Sequence, residues 1–244
     1  MRLCYADDTQ LYFHMKIDKL PAVKGMVEDC ISHVHRWLAS NRLRLNPDKT
    51  EVMWCSSARR ASTFDQPSLT IGPSTISPSN VVRDLGVQLR ADLSITDQVG
   101  KFVRSCYYNI RQLRSIRSAL TLDALRDAAY DLVLSRLDYC NALYINCPTC
   151  ELHQLQMLIN TAARVVSGRS KFDSITDFVR NELLWLPVTQ RVQFNVNTLV
   201  YKAIHGLAPK YLSDMIVKST VVPRCRDLRS SVHLQLIPAS HRRH

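Results

Sequence analysis

The sequence predicts an α+β chain, and three observations carry that prediction. Up to about residue 90, short apolar–polar alternations rich in Tyr, Leu, Val and Thr are separated by turn-forming clusters, the pattern of strands. From residue 94 onward, apolar residues recur at three- and four-residue spacing, the pattern of helices. Of 244 residues, 46% are hydrophobic and 7% aromatic, enough apolar material for one large or two small domains. The strand-like pattern ends near Asp92. The expected division is a mixed part over 1–92, a helical part over 93–220, and a basic, poorly ordered tail over 221–244.

The first element is a hairpin. "RLCYA" and "TQLYF" alternate apolar and polar residues, and "ADDT" between them holds turn formers. Asp7 and Asp8 then sit at its tip. Two carboxylates this close repel each other unless a cation or proton intervenes. Two readings follow: a site for a hard divalent cation such as Mg²⁺, or an Asp-rich exposed turn. Next, "PAVKGMVEDCISHVHRWLASN" places Val23, Val27, Cys30, Ile31, Val34 and Leu38 on one helical face, with Pro21 in its first turn. His33 and His35 fall on solvent or edge positions of that helix. "NPDK" reads as a turn and "EVMWC" as a strand. Residues 56–80 are rich in Ser, Thr and Pro, with "LTI" and "STI" around Gly72-Pro73 as a small hairpin in a mobile connection. "VVRDLGVQL" is a strand or tight hairpin about Gly86.

The helical part opens with Ser94 and Asp97 as an N-terminal capping pattern. Val99, Phe102, Val103, Cys106, Ile110 and Leu113 form one stripe, and Lys101, Arg104, Arg111 and Arg114 fall opposite it. That basic face is either a phosphate-binding surface or a solvated one. A second helix is expected over 122–143. A third has Thr149 as its cap and stops at Gly168. Asp173 caps a short one, Pro187 opens another that ends near Gly206, and "PKYLSDMI" closes the series. Trp37, Trp54 and Trp185 read as core anchors. The helical half carries its own caps and stripes, so residues 92–220 are expected to fold without the rest.

Composition narrows the partners. A net charge of +11 favours a polyanion, nucleic acid first. No apolar run approaches the ~20 residues of a membrane span. "MRLCYADD" is no signal peptide, because acidic residues interrupt it at once, so an intracellular location, nuclear or cytoplasmic, is expected. The eight cysteines are then expected to be reduced, several of them as small core residues. Cys147-x2-Cys150-x2-His153, with Cys140 upstream, contains zinc-ligand residue types, but its spacing matches no common site.

Several blocks together resemble a known family. "YADD" with apolar flanks resembles the catalytic hairpin of reverse transcriptases, and "YADDTQLYF" is similar to non-LTR (LINE-type) retrotransposons of the jockey-like group. "RLRLNPDKTEVMWCS" resembles the next polymerase motif and "VVRDLGVQL" the primer-grip hairpin. "RLDYCNALY" and "LLWLPVTQRVQFNVNTLVYKAIHGLAPKYLSDMI" resemble the thumb and the region after it. "RDLRSSVHLQLIP" resembles a segment near the family's C-terminal end. The blocks run in the family's order and cover nearly the whole chain.

The resemblance implies roles. Asp7 is the metal ligand of its motif, and Asp8 supports metal binding or primer positioning. Tyr5 packs near the primer end. Lys49 protonates the leaving pyrophosphate. Leu85 and Gly86 belong to the primer grip. Lys101, Arg104, Arg111 and Arg114 lie on the first thumb helix, along an RNA template/DNA primer duplex. Mg²⁺ is the implied cofactor and deoxynucleoside triphosphates are the implied substrates. The family's fingers, most of its palm and its other metal-binding aspartate lie upstream of "YADD", and only six residues precede Asp7 here. These 244 residues by themselves are therefore expected to be inactive as a polymerase. Two other readings stand: a non-catalytic helical module that binds duplex nucleic acid, and the product of a degenerate element.

Overall fold

A computed structural model describes residues 2–5, 8–57, 66–72 and 74–216. The fold is α+β: among the described residues, three separate two-stranded antiparallel hairpins, with one long α-helix between the first and the second and the other α-helices after the third. The chain divides into two compact units, Met1–Lys101 and Phe102–His244. The division falls inside a helix rather than at Asp92, where the strand pattern ends.

In the first unit, β1 (Arg2–Tyr5) pairs with β2 (Asp8–Leu11), with Tyr5 opposite Asp8 in the register. Asp8 thus opens a strand rather than sitting in the turn. Helix α1 (Leu20–Ser40) carries Pro in its first turn. Only Val27 on it is buried, and the remaining apolar positions of its stripe are half-buried. Trp37, expected in a core, is 60% exposed. A helical stripe fixes which face is apolar, but a neighbour must exist to cover it. The neighbour is slight: β3 (Leu69–Ile71) pairs with β4 (Ser74–Ile76), and the Thr70 backbone N–H donates to Glu28 Oε1 of α1 at 2.8 Å.

The expected strand over 51–55 is absent. That segment makes isolated hydrogen bonds, Ser79 N–H to Val52 O at 2.8 Å and Ser56 N–H to Ala91 O at 2.9 Å. Its residues suit a strand, but a strand also needs a continuous ladder, and two single bonds do not make one. Trp54 is half-buried and donates from Nε1 to Pro67 O at 3.0 Å. The third hairpin joins β5 (Val81–Asp84) to β6 (Val87–Arg90), with Asp84 opposite Val87. Its two-residue turn has φ of 42° at Leu85 and 88° at Gly86. Both values are positive, as the tight hairpin turns that match strand twist require. Gly86 adopts this freely, whereas Leu85 adopts it at a cost of order 1 kcal/mol.

Helix α2 (Thr96–Ser115) crosses the division between units. Just before the helix, Ser94 N–H donates to Asp92 Oδ1 at 2.9 Å, and Asp97 in its first turn pairs with Arg90 at 3.3 Å. The stripe is as expected: Val99, Phe102, Cys106, Ile110 and Leu113 are buried.

The second unit is a helical assembly with a continuous core. The expected helix over 122–143 is broken. It runs as α3 (Leu122–Ala129), a π-helical turn (Tyr130–Leu134) and α4 (Ser135–Asp138). Thr121 caps α3 through its hydroxyl, which accepts from Ala124 N–H at 3.3 Å. In the π-turn the Leu132 carbonyl accepts from Asn109 of α2 at 3.5 Å. Cys140 then turns left-handed, with φ of 55°, and a 3₁₀ stretch follows (Asn141–Asn146). Here the helix yields to burial of a polar side chain. Asn141 is 1% exposed and is satisfied by Asn195 Nδ2 at 2.7 Å and Asp138 Oδ1 at 3.2 Å.

Helix α5 (Thr149–Ser167) has Pro148 at its N-cap, so Thr149 is its first residue and not its cap. Leu155, Leu158, Ile159, Ala162, Ala163 and Val166 of α5 have no exposed surface. It packs against α3 and α6 (Val188–Ile204). Gly168 ends it with φ of 74°. Arg117 covers that end, donating from Nε to Val165 O at 2.8 Å. Asp173 caps no helix; its carboxylate accepts from Ser170 N–H at 2.8 Å and closes a turn. Trp185 is 5% exposed, the one tryptophan that anchors a core. Pro187 opens α6, and α7 (Lys210–Ser213) is short. The expected tail over 221–244 lies outside the described residues. Among the described residues, no helix is long and apolar enough to cross a membrane.

Candidate functional site

Two sites were expected, a carboxylate hairpin in the first unit and a basic helix face. At the hairpin, Asp7 lies outside the described residues. Tyr5 and Asp8 are placed only by their strands, as the register pair that flanks the turn. Beyond them the side chains are informative. Gln10 of β2 donates from Nε2 to Asp84 Oδ1 of β5, and the Tyr12 hydroxyl donates to Gln10 Oε1. Asp84 immediately precedes the Leu85-Gly86 turn. The "YADD" hairpin and the "DLG" hairpin, far apart in sequence, are thus tied by a polar bridge. Partial burial, with the carboxylate of Asp84 and the thiol of Cys55 nearby, raises the Tyr12 phenol above its ordinary value, so it stays a donor in that bridge.

Lys49 stands on a different element from the residues of this bridge. It ends a 3₁₀ turn (Pro47–Lys49) capped by the Asn46 side chain, whose Oδ1 accepts from the Asp48 N–H at 3.0 Å. Its own side chain is exposed and forms no ion pair among the described residues. Leu85 is 43% exposed at the tip of its hairpin. Among the described residues no group of three or more His, Cys, Asp or Glu side chains could hold a metal. The described residues therefore supply no ligand set for Mg²⁺, and no catalytic step through the metal follows from them. The same holds for zinc at Cys140, Cys147, Cys150 and His153. Cys140, Cys150 and His153 point to solvent, while Cys147 donates from Sγ to Glu151 Oε2 at 2.9 Å. Burial, together with that hydrogen bond and the glutamate charge, pushes the Cys147 thiol up to about 12, the opposite of a metal-binding thiolate.

The basic face of α2 is formed as the helical period requires. Lys101, Arg104, Arg111 and Arg114 are all exposed while the opposite stripe is buried. None of the four forms an ion pair among the described residues. Elsewhere Arg90 pairs with Asp92 and Asp97, Arg126 with Asp123 and Asp127, and Arg191 with Asp138. Four uncompensated cations on one helix make a positive strip suited to displacing counterions from a polyanion. Cys106, on the buried side of the same helix, is pushed up to about 11 by burial although the positive charge of Arg136 works against that shift.

Two residues of this surface escape a motif reading. Tyr108, on the same helix, is 55% exposed, and its position follows from the helical period. Arg136 of α4 reaches α2, donating from Nη1 to Ser105 Oγ at 3.1 Å, and only the packing of the two helices reveals it. A cavity of about 650 Å³ also opens in the second unit, lined by Tyr130, Asp138, Leu184, Trp185, Arg191 and Phe194 among others. Within it Arg191 Nη1 lies at 2.5 Å from Asp138 Oδ2, while Arg191 Nε has no hydrogen-bond partner among the described residues.

Comparison with protein families, with curated proteins and with solved structures returns no match for this chain.

Proposed function

We propose that these 244 residues are the carboxy-terminal part of a non-LTR retrotransposon reverse transcriptase, comprising the end of the palm and the thumb. In this reading the activity they carry alone is binding of a nucleic-acid duplex along α2, with RNA template and DNA primer as the natural partners. The observation that carries it is the row of four exposed cations, without ion pairs among the described residues, set opposite a largely buried stripe. The bridge between Gln10 and Asp84 supports the palm assignment, because a polymerase palm needs its carboxylate hairpin and its primer-grip hairpin side by side. Asp7 and Asp8 would hold Mg²⁺ there only together with the family's upstream aspartate, so these residues alone extend no primer.

A second reading is a non-catalytic helical module with the same duplex-binding face. The two readings share one test. Duplex affinity of the wild-type chain is measured as salt is raised, beside a variant with Lys101, Arg104, Arg111 and Arg114 all changed to Glu. The wild type is expected to lose affinity steeply, with a log–log slope of about −3.6, as four phosphate contacts imply. The variant is expected to lose at least tenfold in affinity while keeping its helical signal, since exposed substitutions cost little stability. Unchanged affinity in the variant would overturn both readings. Asp7-dependent primer extension by these residues alone would overturn the incomplete-palm assignment.

A further inference from the structure

The face of α2 is not uniformly basic, because Tyr108 stands in the middle of it, 55% exposed. Arg104 precedes Tyr108 by four residues and Arg111 follows it by three, so both are its neighbours on the helix surface. Ser105, three residues before Tyr108, lies on its other flank. There Arg136 enters from α4, its Nη1 donating to Ser105 Oγ at 3.1 Å, with the rest of its side chain exposed. The ring is therefore bordered by cations on both sides. Neither Arg104, Arg111 nor Arg136 forms an ion pair among the described residues.

A surface that met only the phosphates of a closed duplex would gain nothing from a bare aromatic ring at its centre. Phosphates present charge, and the faces of paired bases are hidden in the stack. An unpaired base does present a face. Surfaces that hold single strands combine cations that follow the backbone with aromatic rings on which bases stack. The arrangement around Tyr108 has both parts. Resting on the duplex-binding reading above, we infer that Tyr108 is a stacking platform for an unpaired base at the end of a bound duplex. Arg104, Arg111 and Arg136 hold the phosphates on either side of that base. Arg136 is a positioning and charge partner that the helix alone does not supply.

The test compares a blunt duplex with the same duplex carrying a short unpaired extension, using the full chain at fixed moderate salt. The extended duplex is expected to bind about tenfold tighter, the worth of one well-stacked base. Tyr108→Phe keeps that preference. Tyr108→Leu abolishes it, so that the two duplexes bind with equal affinity. Arg136→Gln weakens binding of both duplexes severalfold. A 2-aminopurine at the first unpaired position reports stacking directly: its fluorescence is quenched on binding to the wild type and to Tyr108→Phe, and not to Tyr108→Leu. Equal affinity for the two duplexes, or quenching retained in Tyr108→Leu, would overturn the inference. If the four-Glu variant loses blunt-duplex binding while the wild type shows no preference for the extension, the duplex reading stands and the stacking role falls. If the wild type binds neither duplex, both fall.

Discussion

The two units bury their apolar residues in different ways. In the first, the buried apolar side chains are scattered one or two to an element: Val27 on α1, Leu69 and Ile71 on β3, Val87 on β6 and Val99 at the start of α2. Among the described residues its hairpins each pair only with themselves; a hydrogen bond from Gln10 to Asp84 links two of them, and one from Thr70 to Glu28 links another to α1. In the second, α5 carries a run of fully buried side chains and packs against α3, the π-turn and α6, whose Leu125, Ala129, Leu134, Val188 and Val192 are also buried. Local propensity is satisfied in both units. What separates them is the number of elements that cover each apolar face, and a two-stranded hairpin without a covering layer is marginal in water.

The largest expected effect of that difference appears on cutting the chain. Residues 92–220 alone are expected to keep their helical circular dichroism and a cooperative melt, whereas residues 1–91 alone give no cooperative transition. A helical half without a cooperative melt would erase the contrast.

Point substitution should grade it. Leu158 has no exposed surface, and Leu158→Ala is expected to cost about 3 kcal/mol. Val27→Ala in the first unit is expected to cost about 1 kcal/mol, because its half-exposed surroundings can close over a smaller side chain. Chemical denaturation of the two variants measures both values, and equal losses would show that the first unit is as tightly packed as the second.

A smaller effect sharpens the account of the second unit's polar interior. Burial raises the Asp138 carboxyl above the usual carboxylate range, with Arg191 opposing. A group whose folded pKa is raised contributes stability that is fully present below its unfolded value and lost as pH rises through the folded value. Removing Arg191 takes away the opposing influence, so the raised pKa rises further. Arg191→Ala is expected to cost about 2 kcal/mol at pH 7, less than a fully buried pair because both partners keep some solvent. The cost should shrink as pH is lowered towards 4 and Asp138 is protonated. Thermal melts of wild type and variant at the two pH values check this, and an equal loss at both would mean that the pair is held by packing alone.

Much of this molecule was legible residue by residue. The hairpins at residues 2–11, 69–76 and 81–90 follow from alternation and from turn chemistry. The α2 stripe and the basic face opposite it follow from the helical period, because both depend only on spacing along one element. The stop of α5 at Gly168 and the start of α6 after Pro187 follow from backbone chemistry at single residues.

What spacing could not decide was which surfaces would find a neighbour. The segment over 51–55 has strand residues but no ladder, and α1 has a stripe that is only half covered, which leaves Trp37 in solvent. The helix expected over 122–143 gives way after Asp138, because burying Asn141 against Asn195 and Asp138 offsets the lost helical turns. Arg136 joins the α2 surface from a separate helix, and no property of its own segment announces it. Sequence by itself determined the periods, the caps made by Gly and Pro, and the sign of the exposed charge, since each is written within a few residues. Only the tertiary structure decided coverage and the bridges between distant segments, since burial and hydrogen bonding need two partners and the second is chosen by the fold.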